Sequence, residues 1–156
     1  MPEPVIVSDA SVLIGLEQIG SLSLLKELYG RIDITSIVQQ EVGSPLPDWV
    51  HLNDAYQEAV FRLLCPSLDE GEASAIALAL AHPGALLIID ERKGRKQAKS
   101  MGIRITGLVG IIIRAKQKGL IHNGKEKLDQ LMEKGFRLSD GVYALALEQM
   151  GESIHP

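Results

Sequence analysis

Short apolar runs that stop at a polar residue, each followed by a change to helical periodicity, constrain this chain most. Val5-Ile6-Val7 is β-branched, has no internal polar residue, and runs into Ser8-Asp9. Such a run suits a strand buried on both faces of a parallel sheet. Ile32 to Thr35 predicts a second strand, Leu86 to Ile89 a third that stops at Asp90, and Ile103 to Thr106 a fourth. Between them, Val12 to Leu16 starts a helix, and Leu22, Leu25 and Leu28 recur at helical spacing. Ser36 is placed to cap a helix carrying Ile37, Val38, Glu41 and Val42. Gly43, Pro45 and Pro47 then break the chain into a loop. Ser67-Leu68-Asp69-Glu70 fits a capping box, and Ala73, Ile76, Ala77 and Leu80 behind it share one helix face. His82-Pro83-Gly84 ends that helix. Further helices are predicted over 91–100, 107–118, 125–134 and 139–150. Strands alternating with helices imply an α/β fold with a mostly parallel sheet, one domain over residues 1–156. Sites in such sheets form beyond the carboxyl ends of strands, which puts Asp9, Asp90 and Thr106 along one edge.

The 156 residues are 46% apolar and 23% charged, a globular balance that argues against wholesale disorder. Six aromatic residues argue against a surface built mainly on base stacking. The single cysteine, Cys65, has no intramolecular partner for a disulfide, which fits a reducing compartment. No span reaches the ~18 apolar residues of a membrane helix. The first apolar run contains Asp9 and has no basic residue before it, unlike a secretory signal. The expectation is a soluble, cytoplasmic domain.

The net charge of −4 suggests no affinity for nucleic acid, but its distribution does. Residues 92–127 hold eleven Lys and Arg and one acid, a charge of +10, whereas the rest holds five basic and nineteen acidic residues, or −14. Such asymmetry can set a positive face, suited to a phosphate backbone, beside a negative one, suited to cations.

Four acids are candidates for one pocket. Asp9 and Asp90 end apolar strands, Glu41 sits beside Val38 and Val42, and Glu72 lies at the edge of the apolar stripe of its helix. Each has a structural alternative: a helix cap for Asp9 and Asp90, a solvated helix position for Glu41, a favourable charge at a helix N-terminus for Glu72. Crowded carboxylates repel and raise one another's pKa unless a cation neutralises them. Mg²⁺ or Mn²⁺, hard ions that take oxygen ligands, fit such a set. His51, His82, His122 and His155 show no zinc-type spacing. An all-carboxylate site beside a basic surface suggests phosphodiester hydrolysis.

The sequence resembles the PIN-domain proteins, metal-dependent ribonucleases that include the VapC-type toxins. The resemblance rests on Val5-Ile6-Val7-Ser8-Asp9-Ala10-Ser11, on Val38-Gln39-Gln40-Glu41-Val42 and on the stretch from Leu68 to Ala79. Leu87-Ile88-Ile89-Asp90-Glu91, Ile105-Thr106-Gly107 and Gly119-Leu120-Ile121 continue it, over roughly residues 4 to 150. It implies a three-layer fold whose mostly parallel sheet of about four or five strands is flanked by helices. Asp9, Glu41, Glu72 and Asp90 match the acidic quartet that holds the metal, and Ser11 and Thr106 match auxiliary polar positions near it. The implied activity is cleavage of RNA by a metal-activated water, leaving a 5′-phosphate and a 3′-hydroxyl. It also implies a homodimer and, for a toxin, a small antitoxin partner. Two positions depart from the common pattern. Glu72 stands where many VapC toxins have Asp, and Ile89-Asp90-Glu91-Arg92 lacks the usual Thr and second Asp, with Glu91 as a further acid. Lys93, Arg95, Lys96 and Lys99 follow Asp90 and read either as phosphate contacts or as a solvated helix face.

Two other classes compete. A non-catalytic PIN-like module would bind RNA or protein without cutting. A phosphatase of another doubly wound fold would use Asp9 as nucleophile. A haloacid-dehalogenase-like enzyme carries a second Asp two residues later, and Ser11 holds that position here.

Overall fold

A computed structural model describes residues 3–153, so His155 lies outside the described residues. Five strands form one sheet: β1 (Ile6–Ser8), β2 (Ile32–Ile34), β3 (Val50–Leu52), β4 (Leu86–Ile88) and β5 (Arg104–Thr106). The helices are α1 (Ala10–Gln18), α2 (Ser23–Tyr29), α3 (Ser36–Val42), α4 (Glu58–Leu64), α5 (Glu70–Ala81), α6 (Arg92–Ser100), α7 (Leu108–Gln117), α8 (Gly124–Glu133) and α9 (Asp140–Gln149). The strand order is β3-β2-β1-β4-β5, and every pairing is parallel.

The alternation of side chains along each strand separates two cores. Ile6, Ile32, Ile34 and Ile88 pack with α1, α2, α7, α8 and α9 on one face of the sheet. Val7, Leu87 and Ile89 pack with α4, α5 and α6 on the other. The result is a three-layer α/β fold. In α5 every residue from Gly71 to Ala79 is buried, wedged between the sheet and its neighbouring helices. Its alanines let backbones approach closely enough for that.

The four predicted strands form, within a residue at each end. Two caps differ from expectation. Thr35, not Ser36, caps α3, and Asp69, not Ser67, caps α5 by accepting from the Glu72 N–H at 2.8 Å. Two elements have no counterpart among those predicted from the sequence: β3, which follows the Pro45-Pro47 loop, and α4. β3 is an edge strand whose His51 and Leu52 are exposed, so no apolar run marks it. α4 buries only Leu64 fully and carries exposed Glu58, Arg62 and Leu63. Among the described residues no helix is long and apolar enough to cross a membrane.

The strand order positions the site. From β1 the chain moves to β2, and from β4 it moves the other way to β5. Adjacent strands whose connections diverge open a crevice at their carboxyl ends. Asp9 follows β1 directly and Asp90 follows β4 by two residues, so both acids stand at that crevice. The Asp9 N–H donates to the Ile88 carbonyl at 3.0 Å, and Ile89 N–H to the Thr106 carbonyl at 2.8 Å. The sheet ladder therefore holds both backbones up to the acids.

Candidate active site

The crevice opens into a pocket of about 360 Å³ lined by Asp9, Ala10, Ser11, Glu41, Asp69, Glu72, Asp90, Glu91, Phe136 and Arg137. The four acids predicted from the sequence meet there, as do Ser11 and Glu91. Asp69, Phe136 and Arg137 join them, three residues that nothing in the sequence pattern assigns to the site.

Apart from Glu72, the carboxylates are held by donors at the starts of helices. Asp9 caps α1, accepting from the Val12 N–H at 3.2 Å, and the Ser11 hydroxyl donates to its two oxygens at 3.2 and 3.1 Å. Asp90 lies across the start of α7, where the Leu108 N–H donates to both its oxygens at 3.1 and 3.2 Å. Glu91 caps α6 through the Lys93 N–H at 3.3 Å. Glu41 projects from the last turn of α3 onto the start of α5, where the Gly71 N–H donates to it. The N-termini of α1, α5, α6 and α7 thus face one pocket, and their partial positive charge offsets part of the carboxylate repulsion. The capping role expected as an alternative for Asp9 and the pocket placement are therefore both realised. A buried hydrogen bond of 2.7 Å between the Thr35 and Ser74 hydroxyls ties α3 to α5, the two helices that carry Glu41 and Glu72.

Glu72 differs from the others. Its residue is 8% exposed, and its Oε2 is buried with no hydrogen-bond partner among the described residues. A buried, unpaired carboxylate oxygen is costly. Burial, followed by the adjoining Asp69 carboxylate, pushes the Glu72 carboxyl up to about 8. Asp9, 3% exposed, is pushed up to about 7, chiefly by burial and further by the Asp90 charge, against the pull of the Val12 N–H. Asp90 is raised by burial, opposed by the Leu108 N–H and the Arg95 guanidinium. Glu41 is raised by burial and by Asp69, opposed by the Gly71 N–H.

Three glycines leave room for these carboxylates. A Cβ on Gly71 would meet the Glu41 carboxylate, one on Gly94 would lie 2.8 Å from Glu72 Oε2, and one on Gly107 would meet Asp90 Oδ1.

The donor set fits a hard divalent cation. It is all oxygen, it contains an unpaired buried oxygen, and two of its carboxyl groups, Asp9 and Glu72, are pushed well above their ordinary range, chiefly by burial. As the side chains stand, no three His, Cys, Asp or Glu among the described residues are drawn in to metal-ligating spacing. Asp9, Glu41, Asp90 and Glu91 are turned to helix N–H groups instead.

Thr106 does not line this pocket. It lines an adjoining hollow with Asp90, Arg95, Gly107, Val109, Gly110 and Val142. The predicted substrate cations divide. Lys93, Lys96 and Lys99 are exposed and make no ion pair among the described residues, and Lys96 and Lys99 border a hollow shared with Asp90, Arg92 and Arg95. Arg95 is half-buried, and its Nη1 donates to the Ile89 carbonyl at 2.8 Å beside Asp90. The basic segment is not one open face throughout: Lys116 pairs with Glu152 at 3.0 Å, and Lys125 with Asp129 at 2.8 Å.

A family model described as a PIN domain matches residues 5–152. No curated protein and no solved structure matches the chain.

Proposed function

The chain belongs to the PIN-domain family, and from that premise we propose that it is a metal-dependent endoribonuclease acting on single-stranded RNA in the cytoplasm. Asp9, Glu41, Glu72 and Asp90 would hold Mg²⁺ or Mn²⁺. One observation carries the reading: Glu72, whose Oε2 is buried and unpaired among the described residues, lines the same pocket as the two strand-end acids, Asp9 and Asp90. A cation there would lie beside that oxygen and offset the burial and the neighbouring charges that raise Asp9 and Glu72.

A bound divalent cation supplies Lewis acidity, easing deprotonation of water and offsetting charge on the departing oxygen. The chain's own residues do the rest. Ser11 fixes the rotamer of Asp9 by donating to both its oxygens, and the Leu108 N–H does the same for Asp90. Glu72, pushed up to about 8 by burial and by Asp69 in the metal-free protein, would give up its proton to ligate the cation. The exposed cations of α6 attract the phosphate backbone toward the pocket.

Purified protein is expected to cut single-stranded RNA in Mg²⁺ or Mn²⁺, to stop in EDTA, and to lose activity in Asp9→Asn and Asp90→Asn. Cleavage that survives both substitutions overturns the assignment. RNA binding with neither cleavage nor calorimetric Mn²⁺ binding replaces it with a non-catalytic module. Within the family the resemblance to VapC-type toxins points to the toxin half of a toxin–antitoxin pair, a homodimer held in check by a small partner. A small protein that co-purifies in fixed ratio and suppresses cleavage is the expected result.

A further inference from the structure

We propose that Arg137 contacts a phosphate of the RNA strand within the acid pocket, a role that rests on the nuclease reading above. Arg137 is the only cation among the ten residues lining that pocket, where six of the others are carboxylates. It is exposed, yet it makes neither an ion pair nor a hydrogen bond with any of them among the described residues. A guanidinium beside six acids that pairs with none of them remains available to a ligand.

Its position is set by the turn that follows α8. Gly135, at φ 99°, sits in the left-handed region that favours glycine. Its N–H donates to the Met132 carbonyl at 3.0 Å, and the Phe136 N–H donates to Leu131 at 3.0 Å. Together these bonds make a Schellman motif, which ends a helix in one defined direction. Phe136 then packs against the main core. The backbone is thus anchored on both counts immediately before Arg137, and only the side chain is free to swing.

The chemistry identifies the ligand as a phosphodiester. The pocket carries up to six negative charges, and one divalent cation cancels two of them. A phosphate entering it still meets net repulsion, which a local cation must offset. A guanidinium suits that task, because its planar fork donates two parallel hydrogen bonds to a phosphate. The α6 cations border the site at Asp90, in the neighbouring hollow, whereas Arg137 lines the pocket itself. The strand is therefore gripped at two places by different elements.

The test is fluorescence anisotropy of a labelled single-stranded RNA oligonucleotide in EDTA, over a salt series, paired with kcat and KM for the same RNA in Mn²⁺. Arg137→Ala is expected to weaken binding about tenfold. It should also lower the slope of log affinity against log salt by about 0.7, the value for one single-strand phosphate left without its cation. In Mn²⁺ its KM should rise more than its kcat falls. Arg137→Lys should keep the salt slope, since the charge remains, but recover only part of the affinity. Lys134→Ala, an exposed neighbour outside the pocket, should change neither. Wild-type affinity and slope in Arg137→Ala overturn the proposal, as does an equal loss in Lys134→Ala, which would mean that charge anywhere on this loop suffices. Arg137-dependent binding by a wild-type protein that does not cut in Mn²⁺ removes the nuclease reading and leaves this inference standing. Cutting with an unchanged KM in Arg137→Ala does the reverse.

Discussion

The carboxylate of Asp90 fills the space that a side chain on Gly107 would need. Gly107 has φ −139° and ψ −169°, an extended conformation open to any residue, so the constraint there is volume. The same relation joins Gly71 to Glu41 and Gly94 to Glu72. Gly107→Ala should therefore displace Asp90 from the Leu108 N–H and push against Arg95 Nη1, which lies 2.7 Å from the added Cβ. The expected outcome is at least a tenfold loss of Mn²⁺ affinity by calorimetry and of cleavage rate, as for other displaced ligand-supporting groups, with the far-ultraviolet circular dichroism unchanged. Wild-type Mn²⁺ affinity in this variant would show that Asp90 does not need its present seat.

Glu72 supplies a separation of stability from function. Its buried charge is unpaired, and Gln at this position removes the charge while gaining an amide donor for Asp69. In EDTA at pH 8.5, Glu72→Gln should melt several degrees above wild type, about the effect of 1–2 kcal/mol in a domain of this size. It should also lose cleavage and the upward melting shift that Mn²⁺ gives. A variant that melts lower than wild type in EDTA would mean that Glu72 is satisfied by something other than a cation.

The parts of this arrangement that depend on burial are legible in the sequence. Val5 to Val7 and Leu86 to Ile89 announce their strands because both sheet faces are covered, and the acids that end them follow from strand length. The spacing of Ala73, Ile76 and Ala77 marks α5 as a helix, but the single apolar face it predicts is corrected: Gly71 to Ala79 are buried on all sides and Leu80, on that face, is exposed. β3 and α4 leave weak traces, because an edge strand is held by hydrogen bonds to β2 and not by enclosure, and α4 buries one residue fully. Asp69 is visible as a charge at a helix start, but only the fold shows it against Glu72. Arg137 lies outside the basic run 92–127, in a loop whose approach to the pocket is set by how α8 and α9 pack, a long-range contact with no local signal.

Acidity should stabilise the metal-free protein. Asp9 rises from an ordinary 3.8 to about 7 and Glu72 from 4.5 to about 8 on folding. Between those values the folded chain binds more protons than the unfolded chain, so stability falls as pH rises. The contribution is complete below about pH 4 and gone above about pH 8. In EDTA the melting temperature should drop by roughly 5 °C or more from pH 5 to pH 8.5. Mg²⁺ should reverse most of that drop, since it competes with the same protons, and cleavage should rise with pH over the same range. A melting temperature that is flat across this window in EDTA would contradict the buried, uncompensated state of these two acids.

The four cations after Asp90 should separate into two behaviours. Lys96 and Lys99 are exposed and unpaired among the described residues. Replacing both by Ala should leave stability within about 0.5 kcal/mol per site, while lowering the salt slope of RNA binding by up to about 0.7 for each phosphate that is no longer neutralised. Arg95 is built into the site's frame. Its Nη1 donates to the Ile89 carbonyl, and its charge holds down a carboxyl that burial would otherwise raise further. Arg95→Ala should cost about 1–2 kcal/mol of stability for the missing charged hydrogen bond. Asp90 would then ionise at higher pH, so the rising limb of the pH–rate profile should move upward, a change that removing a phosphate-binding cation alone does not cause. Arg95→Lys, which keeps a charge near Asp90, should restore much of the profile. If Arg95→Ala instead matches the Lys96 and Lys99 variants, with stability and pH profile intact, Arg95 belongs with the exposed phosphate-binding cations and Asp90 is governed by the Leu108 N–H alone.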